Sequence, residues 1–148
     1  MMRRMTHPEP PPIPPIETAE DPIHSPADLQ ERWRALMGPL GFGERLLWLG
    51  FIGPDHRFVK MLSRVPLRPR PQARVLHELM SAVHRLLDRD DLTGSRVALL
   101  LTGPGRGGVS PADRIWSARL VEAAARFDIP LEPIFAANDE VLLPVDAA

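Results

Sequence analysis

The stretch from Arg96 to Phe127 constrains the fold most. Arg96 to Leu101 is an apolar run of strand length, and Gly103-Pro104-Gly105-Arg106-Gly107-Gly108 reads as a loop. Ser110-Pro111-Ala112-Asp113 then opens a helix, with a capping serine, Pro at the first helical position and a carboxylate three residues on. A strand that feeds a helix through a short loop belongs to a sheet covered by helices.

The flanking pattern agrees. Ser25-Pro26 with Asp28 starts a helix that carries Leu29, Trp33 and Leu36 at helical spacing and stops at Gly38-Pro39. Arg45–Ile52 and Arg57–Val65 are strands joined by Gly53-Pro54-Asp55-His56, which has the residues of a type I turn. Pro66–Pro71 is a loop. A second helix is predicted over Gln72–Arg89, with Val75, Leu76, Leu79, Met80, Val83, Leu86 and Leu87 as its apolar stripe. The third helix runs from Pro111 to about Phe127, with Trp116, Leu120, Ala123, Ala124 and Phe127 facing inward. Leu131–Ala136 and Glu140–Val145 form a last pair of strands around Asn138-Asp139. Hairpin, helix, strand, helix, hairpin is an α/β fold with helices packed on a mixed sheet, and residues 25–148 are expected to be one domain.

Residues 1–24 hold seven prolines and only three large apolar residues beyond methionine, Ile13, Ile16 and Ile23. They are expected to be a disordered or polyproline-like tail, dispensable for folding, with Pro11–Pro15 an inert stretch or a docking peptide. No cysteine is present, so thiol nucleophiles, thiolate metal sites and disulfides are excluded. With no apolar run of about 20 residues and no apolar core near the N-terminus, a cytoplasmic protein without a membrane partner is expected.

Four groups of residues carry candidate chemistry. The loop residues Gly103, Gly105, Arg106, Gly107 and Gly108 lie before a helix N-terminus and could cradle an anion. The loop is no Walker A motif, because Val109-Ser110 stands where Lys-Ser/Thr belongs. Asp113 is either a capping carboxylate reaching back to the Ser110 amide or a ligand facing a cleft. Arg64, Arg68, Arg70 and Arg74 lie in a run, residues 57–74, that has six cations and no acid. That run suits phosphate contact, an ordinary solvated rim, or pairing with the acidic stretch 128–146. His77 and His84 are two helical turns apart, about 10.5 Å, which is too far to share one ion.

From Arg45 to Val145 the element order, Ser110-x-x-Asp113 and the closing segment LVEAAARFDIPLEPIFAANDEVLLPV resemble the RadC-type branch of the JAB/MPN domains. The resemblance implies a zinc hydrolase fold with a Glu on an early strand, His-x-His on a central strand and the Ser-x-x-Asp that follows. The family's spacing places Leu100 and Thr102 at the histidine positions and Met61 at the glutamate. Met61, Leu100, Thr102, Ser110 and Asp113 then mark a vestigial site. A catalytic zinc needs about three protein ligands, so zinc hydrolysis is not expected, and neither is any other metal or cofactor.

Two functions follow. The first is a non-catalytic JAB/MPN-like binding or scaffolding domain, tied to DNA repair by the resemblance, with a protein partner or a nucleic acid met through the basic run. The alternative is a small enzyme or ligand-binding protein that takes a phosphorylated metabolite or nucleotide at loop 103–108.

Overall fold

The computed structural model describes residues 13–145. Three α-helices pack on a five-stranded mixed sheet. In chain order the elements are α1 (Pro26–Met37), β1 (Leu46–Ile52), β2 (Phe58–Pro66), α2 (Ala73–Leu87), β3 (Arg96–Thr102), α3 (Pro111–Arg126), β4 (Phe135–Ala137) and β5 (Leu142–Pro144). The spatial order is β2-β1-β3-β4-β5; β3 and β4 run parallel and every other neighbouring pair is antiparallel. The α/β architecture and the order of elements are those read from the sequence.

Local chemistry fixes the helix ends. Ser25 Oγ accepts the Asp28 amide at 3.1 Å, and Asp28 Oδ2 accepts the His24 amide at 2.9 Å. That amide holds the Asp28 carboxyl below its ordinary value. Its contribution is therefore present at neutral pH and lost as the pH falls through the lowered value. Gly38, at φ +64°, ends α1. At the end of α3 the Asp128 and Ile129 amides return to the Ala125 and Ala124 carbonyls, with Asp128 in the left-handed region usually given to glycine.

β3 is buried from Val97 to Thr102, as a central strand covered on both faces must be. On one face α2 and α3 supply Leu76, Met80, Val83, Trp116 and Leu120 against Leu47, Leu49, Leu99 and Leu101. On the other, α1 supplies Leu29 and Trp33 against Ile52, Leu100 and Phe135. Gly50 is required there, because a Cβ would lie 2.9 Å from the Phe58 ring, which is packed on Trp33 at 5.2 Å between centroids. The Gly53–His56 turn closes with the His56 amide on the Gly53 carbonyl at 2.9 Å.

Three expectations need correction. The disordered tail does not extend through residues 13–24, while residues 1–12, with Pro11 and Pro12 of the Pro11–Pro15 stretch, lie outside the described residues. Ile16–Glu20 forms a 3-10 turn, Ala19 and Ile23 are buried, and the Ile23 amide donates to the His56 carbonyl at 2.7 Å. The closing strands are shorter than expected. Pro130 and Pro133 lack the amide a ladder needs, so Leu131 makes only an isolated bridge to Val97 and β4 begins at Phe135. Val75, assigned to the inner stripe of α2, is exposed.

Candidate functional site

The candidate residues from the sequence gather at one end of the sheet, where β3 runs out into loop 103–108 and α3 begins. Ser110 caps α3 by accepting the Asp113 amide at 3.1 Å. The Asp113 carboxylate does not complete a capping box. It instead accepts Arg45 Nη2 at 2.7 Å, across 68 residues of chain, with both side chains partly buried. Gly103 makes room for this pair, because a Cβ there would meet Arg45 Cγ at 3.0 Å.

The would-be ligand positions do not converge. Directly paired residues share a face of the sheet. Leu62 pairs with Gly50, and Gly50 with Ala98, so Leu62, Ala98, Leu100 and Thr102 share one face. Met61, one residue from Leu62, points to the other face. Met61 packs against the α2/α3 core, and Leu100 lies in the α1 core. Thr102 is buried with its hydroxyl fully used, accepting Trp48 Nε1 at 2.9 Å and donating to the Leu46 carbonyl at 3.5 Å. Among the described residues no three His, Cys, Asp or Glu side chains come together as metal ligands would.

The glycine loop does bind carboxylates, and they are the chain's own. The Gly105 amide donates to Asp139 Oδ2 at 3.2 Å, and the Gly107 amide to Glu140 Oε1 at 2.8 Å. The Asp139 amide returns to the Gly105 carbonyl at 3.0 Å, and Asn138 Nδ2 donates to the Gly107 carbonyl at 2.9 Å. Arg106, which was to reach a ligand, lies 3.8 Å from Glu140. Asp139 Oδ1 also accepts the Phe42 amide at 3.2 Å. The space enclosed between Gly108, Asp113, Asn138 and Leu143 is about 10 Å³, at the lower limit for one water molecule, about 10–15 Å³. The anion-binding geometry expected of the loop is thus present and filled from within. The signal in the sequence is Asn138-Asp139-Glu140: the strand expected to begin at Glu140 begins at Leu142, and the two carboxylates of the acidic stretch serve the loop.

An open groove of about 700 Å³ runs between α3 and residues 129–134. Its floor is apolar, Arg114 at its rim donates to the Val145 carbonyl at 2.9 Å, and Glu132 pairs with Arg96 at 3.1 Å. Among the described residues no set of free polar groups converges on it.

Arg64, Arg68, Arg70 and Arg74 are all exposed along β2, the loop after it and the first turn of α2. Arg64 lies over the Trp48 ring, 5.7 Å from its centroid. Arg74 reaches Glu78 at 3.1 Å. His77 and His84 flank Phe127, at 5.1 and 6.1 Å between ring centroids.

Comparison with protein-family models and with curated protein sequences finds no match. Among the described residues no helix is long and apolar enough to cross a membrane.

Proposed function

We propose that this chain is a non-catalytic JAB/MPN-like domain that binds or scaffolds a macromolecular partner, with the tie to DNA repair that the resemblance carries. The observation that supports it most is the capture of Asp113 by Arg45 at 2.7 Å. Asp113 is the one zinc-ligand type left in the resemblance, and a guanidinium now occupies its carboxylate. Met61, Leu100 and Thr102 offer a thioether, a hydrocarbon and a spent hydroxyl, and they point to two different faces. A Lewis acid has nothing there to hold it.

The alternative, a phosphorylated ligand at loop 103–108, loses ground for a separate reason. A phosphate would have to displace Asp139 and Glu140 from the amides they already satisfy.

Protein purified without chelator is expected to carry far less than one zinc per chain by elemental analysis. One zinc per chain, lost in Asp113→Ala, would overturn the non-catalytic reading.

A further inference from the structure

The basic run and the acidic stretch that could have neutralised it stand on opposite edges of the sheet. β2 is the outermost strand on one side, and β4 and β5 close the other. With strands about 4.8 Å apart, β1 and β3 hold β2 roughly 14 Å from β4, beyond the Debye length of about 8 Å at physiological salt. Asp139 and Glu140 are also committed to the glycine loop. Internal pairing with residues 128–145 therefore does not account for Arg64, Arg68, Arg70 and Arg74. Among the described residues Arg68 and Arg70 form no ion pair, and the Arg74–Glu78 pair is exposed on both sides and exchanges readily.

The surface is also pre-ordered. Pro66, Pro69 and Pro71 limit the freedom of the loop that carries Arg68 and Arg70. The Arg64 guanidinium carbon stands over the Trp48 ring, a cation–π contact that restrains this exposed side chain. Less entropy is lost when such side chains meet a partner.

The kind of partner follows from what the edge lacks. Lys60, Arg64, Pro66 and the break in register between Gly50 and Ile52 guard β2 against an added strand. A second copy paired through β2 would set like charges against each other. Neither aromatic ring that β1 and β2 bring to this edge is free to stack a base: Trp48 is covered by Arg64 and donates to Thr102, and Phe58 packs on Trp33. A regular array of phosphates is the anion that remains. We propose that the β2–α2 edge binds the sugar–phosphate backbone of a nucleic-acid duplex without reading its sequence. This names the partner class of the binding domain proposed above and rests on that reading.

Fluorescence anisotropy with the full chain, a labelled DNA duplex of about 20 base pairs and an RNA duplex of the same sequence tests the proposal. On DNA the log–log salt slope is expected to lie near −3.6 at most, for four contacts at about 0.9 each, a loss of roughly 100-fold between 50 and 200 mM salt. The duplex bound more tightly assigns the natural backbone. Changing Arg64, Arg68, Arg70 and Arg74 together to Ser should weaken binding at least about tenfold and flatten the slope, with little change in melting temperature. If that variant does not fold, Arg68→Ser with Arg70→Ser, both in the loop, should lower the slope by about 1.8. No binding at low salt, binding indifferent to these changes, equal displacement by polyglutamate, or salt-sensitive self-association in place of duplex binding would each overturn it. None of those results bears on zinc content, so the non-catalytic reading stands or falls separately.

Discussion

Trp33→Ala is expected to cost about 3–5 kcal/mol of stability, a large share of the roughly 5–15 kcal/mol that holds a domain of this kind together. Trp33 is 0% exposed and is the largest side chain in the core beneath α1. Among the described residues α1 is the only α-helix contributing to the core on that face, so no second α-helix stands ready to fill the hole. The lost ring also leaves Phe58 without the neighbour that fixes it over Gly50. Trp33→Phe should cost well under half as much. It keeps an aromatic contact with Phe58, and the indole N–H it removes has no acceptor among the described residues. Urea unfolding followed by far-ultraviolet circular dichroism gives both values. A cost below about 1 kcal/mol for Trp33→Ala would mean that α1 is not seated on the sheet in this way.

Removal of residues 1–24 is the second large effect. Ile23 is 5% exposed, and burying such a side chain contributes about 1.5–3 kcal/mol. Arg32 is nearly buried and donates to the Asp21 and Pro22 carbonyls at 3.1 and 3.2 Å. Without them its guanidinium keeps, among the described residues, only Glu31 at 3.8 Å, and a buried donor left unsatisfied costs about 1–3 kcal/mol. The Ile23–His56 backbone bond disappears as well. A chain beginning at Ser25 is therefore expected to melt roughly 10–20 °C lower, at about 2–4 °C per kcal/mol for a domain of this size. A shift of only a few degrees would return the segment to the status of a dispensable tail.

How legible each part was in the sequence depends on the range of the forces that fix it. Helix starts at Ser25 and Ser110 are set within four residues, so both were read to the residue. The β1–β2 turn and the apolar run of β3 are equally local. Residues 13–24 do not show their order in composition, which is poor in apolar residues, because that order comes from a few long contacts. Ile23 reaches His56, and Arg32 reaches back over ten residues to the Pro22 carbonyl. β4 was drawn too long because apolar content outweighed Pro133. At the candidate site the loop was identified, but its occupant was not. The Gly105–Asp139 and Gly107–Glu140 bonds span 34 and 33 residues, and only the pairing of β3 with β4 brings those partners together. The face of Met61 was lost for a similar reason. Strand parity decides it, and parity needs the register with β1, which a single strand does not carry.

At the loop end of the sheet the chain's own charges occupy the groups that a ligand would need. The most direct measurement follows the Gly105 and Gly107 amides in a proton–nitrogen correlation spectrum while ATP or inorganic phosphate is added. With Asp139 and Glu140 already accepting those two bonds, neither resonance should shift up to millimolar ligand. A saturable shift at both, strengthened by Glu140→Gln, would contradict the claim and restore loop 103–108 as a ligand site.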